Sequence, residues 1–311
     1  MSGEIEIQEA GPDELGAWVE VFNRCTPCRP VTPTLVAHAW TMEPERLTLL
    51  AQRAGEPVGI AQVWPERRWQ PESTKAELAV MVDRAHRRRG IGTALALEAS
   101  RWAGEHGCDG LDVWVYENDP DAPAYWLARG FHEETRDRNV RLDLPGAEIP
   151  PPDPPDGVVL ATLAERMDLV ESVYGVAVEA LPDMPAPEPL VPPSFEEWRH
   201  AEIDFPEIVP EASVLAVAGD EVVGYALLRR FGARPEVGGN MITGVRRSWR
   251  GKGVAGAMKC LQATLALSCG ITAIETENDD TNTPMRSVNR RLGYRPIPDS
   301  LWLRGPLQPH R

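Results

Sequence analysis

The sequence predicts an α/β chain built from two duplicated domains, each a mixed sheet with helices packed against it. Three observations carry that prediction. The 311 residues are too many for one small module and suit two domains of ordinary size. A proline-dense stretch, Pro145–Pro155, interrupts the chain near its middle, and five of the six residues from Pro150 to Pro155 are proline. Such a run can enter neither a helix interior nor a central strand, so it reads as a stiff spacer. The flanking parts also repeat: a shift of 163 carries Val82 onto Val245, Arg87 onto Arg250, Gly90 onto Gly253, Gly107 onto Gly270 and Gly130-Phe131 onto Gly293-Tyr294. A period this long marks duplicated domains, not a solenoid. The expected division is residues 1–145, a linker over 146–156, and residues 157–311.

Hydrophobic spacing gives both halves the same order of elements. Ile5–Ile7 alternates like a strand, and Pro12–Asn23 has helical spacing after a proline start. Leu47–Gln52 and Val58–Val63 read as strands around the turn Ala54-Gly55-Glu56. Leu78–Val82 is a further strand, and a loop leads from it into a long helix over Ile91–Glu105. Leu111–Tyr116 (strand), Ala122–Ala128 (short helix) and Val140–Leu144 (strand) close the half. The second half predicts a strand at Val158–Ala161, helices at Leu163–Val178 and Phe195–Glu202, and strands at Val214–Ala218, Val222–Leu228 and Asn240–Val245. A helix at Val254–Leu267, a strand at Ile271–Thr276, a helix at Pro284–Arg291 and a C-terminal strand complete it. Upstream, Glu56-Pro57-Val58-Gly59 resembles Glu221-Val222-Val223-Gly224.

Composition removes several classes of function. With 42% hydrophobic and 25% charged residues the chain can bury a core. No apolar run reaches the length of a membrane helix, and the opening MSGEIEIQEA has no secretory character. Five thinly spread cysteines form no disulfide framework, so a reducing, cytoplasmic setting is expected. The formal charge of −15 argues against a nucleic-acid partner and suits a cationic small substrate. Cys25-Thr26-Pro27-Cys28 has no second ligand pair at zinc spacing, so no metal is expected.

The strand-to-helix loops carry the chemistry. They read Val82-Asp83-Arg84-Ala85-His86-Arg87-Arg88-Arg89-Gly90-Ile91-Gly92-Thr93 and Val245-Arg246-Arg247-Ser248-Trp249-Arg250-Gly251-Lys252-Gly253-Val254-Ala255-Gly256. Glycines admit a ligand close to the backbone, and the helix N-terminus offers unpaired amides at the positive end of its dipole. Together they form a seat for a phosphate or pyrophosphate, with Arg87 and Arg250 expected as cations on the rim. Lysine is rare, three against 29 arginines, yet Lys252 stands in this loop.

These residues resemble the acyl-CoA signature of the GNAT superfamily, the acetyl-CoA-dependent N-acetyltransferases, and the resemblance covers both halves. Asn282-x-x-Met285-x-x-Val288-Asn289-Arg290-Arg291-Leu292-Gly293-Tyr294 is similar to that family's closing stretch. The resemblance implies two tandem GNAT-like domains, with the strands ending at Val82 and Val245 splaying from Leu111–Tyr116 and Ile271–Thr276. It implies that backbone groups at Val80, Val82, Thr243 and Val245 hold pantetheine, that the two loops hold the diphosphate, and that Asn282 contributes. It further implies direct acetyl transfer to a primary amine of a small molecule or peptide. Departures accompany it. Where the family often has a tyrosine that protonates the thiolate, this chain has Trp126 and Asn289, with Tyr125 one residue early. Where the family has asparagine, the first half has Asp119. Glu77, at the start of its strand, is the candidate base of the first half, and Glu275 and Glu277 are those of the second. Leu181–Pro193, with six prolines, reads as a stiff cover over the acceptor side.

Two rival readings remain. Both missing tyrosines fit an acyl-CoA-binding scaffold without catalysis. Gly251-x-Gly253-x-x-Gly256, with Glu275 nineteen residues beyond, also fits a nicotinamide dinucleotide fingerprint, although five residues separate Val245 from its first glycine.

Overall fold

The computed structural model describes residues 5–309. Strand β1 (Ile5–Glu9) leads through a proline-started 3₁₀ turn into α1 (Leu15–Cys25), followed by α2 (Pro33–Met42). Then come β2 (Leu47–Arg53), β3 (Glu56–Pro65), β4 (Lys75–Val82), α3 (Ile91–Glu105), β5 (Gly110–Tyr116), α4 (Asp121–Leu127) and β6 (His132–Asp143). The second half begins with β7 (Val158–Thr162), α5 (Val170–Ala180), α6 (Phe195–Trp198), β8 (Val214–Ala218), β9 (Glu221–Phe231) and β10 (Arg234–Val245). It ends with α7 (Val254–Ser268), β11 (Ala273–Asp279), α8 (Thr283–Arg291), β12 (Arg295–Pro296) and β13 (Ser300–Pro306).

Strand β6 begins at His132, eight residues before the expected Val140, and the helix expected over Phe195–Glu202 is α-helical only to Trp198. Two further helices differ from expectation. Helix α2 was not foreseen: Thr32 caps it by accepting from the Leu35 amide and Pro33 starts it, but its outer face is marked by only three polar residues, Thr34, His38 and Thr41, in an otherwise apolar segment. The helix expected from Leu163 begins only at Val170. Glu165 accepts from both the amide and the hydroxyl of Thr162, which folds the chain into a turn where the helix was to start.

The chain forms two compact units, one running to Arg136 and resuming at Ser300, the other spanning Asp137–Asp299. They depart from the linear halves in their closing strands. In the first unit the strand order is β1-β2-β3-β4-β5-β13, and β13 pairs antiparallel with β5, Trp302 opposite Trp114. In the second the order is β7-β8-β9-β10-β11-β6, where the Asp137–Asp143 part of β6 pairs antiparallel with β11. In both units the only parallel neighbours among these pairs are the strand before the long helix and the strand after it, β4 with β5 and β10 with β11. The Pro150–Pro155 run has no helix or strand, while Ala147 and Ile149 ahead of it pack on the second unit's core. No helix among the described residues is long and apolar enough to cross a membrane.

The repeated glycine of the Glu-x-Val-Gly motif sets how closely each long helix lies on its sheet. A Cβ on Gly59 would sit 3.1 Å from Ile91 and 3.2 Å from Leu95 of α3. One on Gly224 would sit 3.0 Å from Met258 and 3.1 Å from Val254 of α7. Helix and site are thus positioned by the same contact in both units. Gly224→Val should lower the stability of the second unit by about 1–3 kcal/mol through overpacking. Urea unfolding measures it, and an unchanged midpoint would contradict the close approach.

Candidate active site

In each unit the parallel strands part after a few residues. Pairing of β4 with β5 runs from Lys75–Gly110 to Leu78–Val113, and that of β10 with β11 from Val237–Ala273 to Gly239–Glu275. Beyond these points β4 and β10 stay paired to β3 and β9 on their other side, through Val82–Gly59 and Val245–Gly224. The opened edge carries Val80 and Val82 in one unit and Thr243 and Val245 in the other, as the family resemblance implied. The forks are not identical. A bulge between Asn240 and Thr243 gives β10 one residue more than β4. The register position of Glu77, opposite Asp112, is therefore held by Gly239, opposite Glu275.

At the mouth of each fork a glycine opens the long helix. Gly90 and Gly253 lie in the left-handed region with φ of 85° and 89°, and neither helix has a side-chain cap. The amides of Ile91, Gly92 and Thr93, and of Val254, Ala255 and Gly256, stand in first turns where no intrahelical acceptor exists. A Cβ on Gly90, Gly251 or Gly253 would meet no protein atom within 4 Å, so the space before both helices is open. The loop backbone repeats at a second position, where Arg88 has φ 62° and its counterpart Gly251 φ 73°. Arg88 and Arg89 are exposed, and so is Lys252, whose ammonium sits 4.8 Å from the Trp249 ring centroid.

Arg87 and Arg250 act differently from simple rim cations. Each donates from Nε to the last carbonyl of its strand, Val82 at 3.1 Å and Val245 at 3.0 Å, and so staples the loop. The Arg87 head makes a bidentate pair with Asp119, which neutralises the carboxylate where the family has asparagine. The Arg250 head meets Asp183 at 2.7 Å, in the 3₁₀ turn that opens the proline-rich stretch. Arg247 and Arg250 together hold the Asp183 carboxyl far below its ordinary range. Asn282 caps α8 by accepting from the Met285 amide. A further tie joins loop to helix with reversed polarity: Arg24 of α1 pairs with Asp83, and Glu179 of α5 with Arg246.

The catalytic candidates fall in different surroundings. Glu77 lies against Glu66, and desolvation first, then the Glu66 charge, push its carboxyl well above the usual range. Glu66 is raised by burial as well. The Tyr125 hydroxyl donates to Thr93 Oγ1 at 3.3 Å, at the mouth of α3, with the Arg129 guanidinium 3.6 Å from its ring centroid. Trp126 is buried against Phe131. Glu275 is clamped by Arg141 at 3.0 Å and Arg234 at 2.9 Å with its side chain 6% exposed, so its carboxylate is committed. That commitment removes the acid on which the dinucleotide reading depends, and Glu277 is exposed. Burial pushes the Cys25 thiol up to about 11, which disfavours a nucleophilic thiolate. Among the described residues no group of three or more His, Cys, Asp or Glu is arranged to hold a metal.

Two residues escaped the sequence reading. Lys259 of α7 is buried; its Nζ donates to Asn289 at 2.8 Å and Asn240 at 3.4 Å, and desolvation pulls it down to about 7. The signal available was a rare lysine on a helix whose neighbours Met258 and Cys260 are apolar. Glu202 sits on a π-helical turn, Arg199–Ile203, with Oε2 buried and without a hydrogen-bond partner among the described residues. Burial lifts its carboxyl to about 7, and its charge adds to the burial that raises Tyr225. The Tyr225 ring lies across Gly244, where a Cβ would come within 2.6 Å, on the part of β10 that pairs with β9 and no longer with β11.

Comparison with known proteins agrees with this geometry. The sequence model of the acetyltransferase (GNAT) family matches residues 15–131 and again 176–294. A protein of Pseudarthrobacter chlorophenolicus named mycothiol acetyltransferase is 28% identical over 224 residues, 70% of this chain and 66% of its own length. The chain thus spans just under two thirds of that relative. A tandem GNAT protein from the clavulanic acid biosynthesis pathway superposes with a TM-score of 0.77 at 18% identity, covering 99% of this chain and 100% of that one. A GCN5-related N-acetyltransferase from Sphaerobacter thermophilus gives 0.74 at 20% identity, with 99% and 97% covered. At such identities the two structures speak for the fold alone.

The buried Glu202 makes stability depend on pH. Its folded pKa of about 7 exceeds the ordinary 4.5, so the folded unit holds the proton more tightly and loses stability as pH rises between those values. The loss is roughly 3 kcal/mol. Glu202→Gln should flatten this dependence in denaturation of the second unit at pH 5 and pH 7.5; an equal slope in both proteins would contradict the assignment.

Proposed function

The chain belongs to the acetyltransferase (GNAT) family, and from that premise we propose that it transfers an acetyl group from acetyl-CoA directly to a primary amine. A relative named mycothiol acetyltransferase favours a small-molecule acceptor over a peptide. The formal charge of −15 suits an acceptor that arrives as a cation. One observation carries the reading: each unit joins an opened strand edge to an uncapped, glycine-led helix mouth.

Those parts fit the donor's chemistry. The first-turn amides of α3 and α7, with Arg88, Arg89 and Lys252 beside them, would take the diphosphate. The peptide groups of Val80, Val82, Thr243 and Val245 would pair with pantetheine as a further strand does. Acetyl-CoA supplies an activated acyl group on a thiol that leaves readily. The protein must then bring up an uncharged amine and meet the oxygen charge that develops, which an amide of the opened edge suits. An alkylammonium has to lose its proton first. In the first unit Glu77 and Glu66 are the candidate acceptors: burial raises both carboxyls, and the Glu66 charge raises Glu77 further. In the second unit Glu202 is the corresponding unpaired acid.

Calorimetric titration with acetyl-CoA tests the reading. Two equivalents should bind per chain, and Gly90→Glu and Gly253→Glu should each remove one. Two equivalents retained in both variants would contradict it. Thiol release with a panel of amines then separates a transferase from a binding scaffold, since silence across the panel would leave binding without catalysis.

A further inference from the structure

The two units differ at four matched positions that converge on one place. Ala96, Ala99, Trp126 and Phe131 form part of the apolar core of the first unit. At a shift of 163 these become Lys259, Gln262, Asn289 and Tyr294. All four changes add polar atoms, and those atoms form one network. Lys259 donates to Asn240 and Asn289, Asn289 donates to Asn278 at 2.6 Å, and Asn240 donates to Gln262 at 2.7 Å, which in turn donates to the Ala226 carbonyl. The network sits in the crotch of the second fork. Asn240 directly follows Gly239, the last β10 residue paired to β11, and Asn278 lies on β11 beyond Glu275.

A buried ammonium faced only by neutral groups is costly. The groups around Lys259 are Asn240 from β10, Asn289 from α8 and the Tyr294 ring, 5.3 Å away at its centroid, and burial is the sole cause of the lysine's lowered pKa. The first unit fills the same positions with apolar side chains, so the fold itself does not need the cation. What the cation lacks is an anion, and breaking a thioester at this fork makes one.

Resting on the acetyl-CoA reading above, we propose that Lys259 is a catalytic residue of the second unit, its ammonium facing the sulfur that departs when the acyl group is transferred and holding it as a thiolate. The acceptor nitrogen bonds to the acyl carbon, and the carbon–sulfur bond breaks with its electron pair on sulfur. The thiolate stays paired with the Lys259 ammonium until it takes a proton from solvent on release, and the acceptor nitrogen gives its surplus proton to solvent. The thiolate charge in turn favours the ammonium form that burial alone disfavours.

The test uses the full chain carrying Gly90→Glu, so that only the second unit binds, with free coenzyme A as probe. Thiolate ultraviolet absorbance should show the bound thiol ionising at least about one pH unit below free coenzyme A, a tenfold effect. Lys259→Met should abolish this shift, and Lys259→Arg, which keeps the charge, should preserve it. Equal ionisation in the parent and the Met variant, both occupied, would overturn the proposal while leaving the acetyl-CoA reading intact. Absence of coenzyme A binding to the second unit would overturn both. Should the variants fail to fold, the unsubstituted chain with ¹⁵N-labelled lysine gives the same answer. The Lys259 pKa should rise by about one unit or more with coenzyme A and not with an analogue lacking the sulfur. An equal response to the two ligands would sink the assignment.

Discussion

Everything at the site follows from peptide groups that the fold leaves unpaired. A parallel strand pair that separates after three or four residues exposes a ladder edge inside a domain, where backbone donors and acceptors are costly without partners. A helix entered through glycine, without a side-chain cap, adds a cluster of donors at the end of that edge. The two sets meet because each long helix starts where its strand stops. A ligand that satisfies both must be extended, able to pair like a strand along most of its length, and anionic at one end.

The duplicated units keep this frame and vary what surrounds it. The loop arginine always returns its Nε to the last strand carbonyl, which fixes the turn whatever the head group meets. The loop-to-helix ion pair survives with its charges exchanged, Arg24–Asp83 in one unit and Glu179–Arg246 in the other. Around the fork the divergence is chemical: the first unit has a carboxyl pair at Glu77 and Glu66 and an apolar core behind it. The second has Gly239 at that register, a bulge, and a polar network centred on Lys259.

Much of this frame was legible in the sequence because it is local. The boundaries of α3 follow from one glycine and one amphipathic run, and Gly90 and Gly253 sit where backbone of positive φ is needed. What escaped is set by contacts distant in sequence. The exchange of closing strands between β6 and β13 leaves the residue repeat untouched, so no repeat shows it. The commitment of Glu275 depends on Arg141, which lies 134 residues earlier, and Arg234. Tyr125 and Glu275 are candidates by their place in the sequence, but the side chains that neighbour them decide what they can do. Glu202 and Lys259 stayed hidden because their character comes from burial, which a single polar residue in a helical pattern does not announce.

Hydrogen exchange at the two helix mouths measures the central claim most directly. With acetyl-CoA bound, the amides of residues 91–94 and 254–257 should slow markedly, together with those of residues 79–82 and 240–245 along the opened edges. Exchange at both mouths that is unchanged by saturating acetyl-CoA would contradict the account.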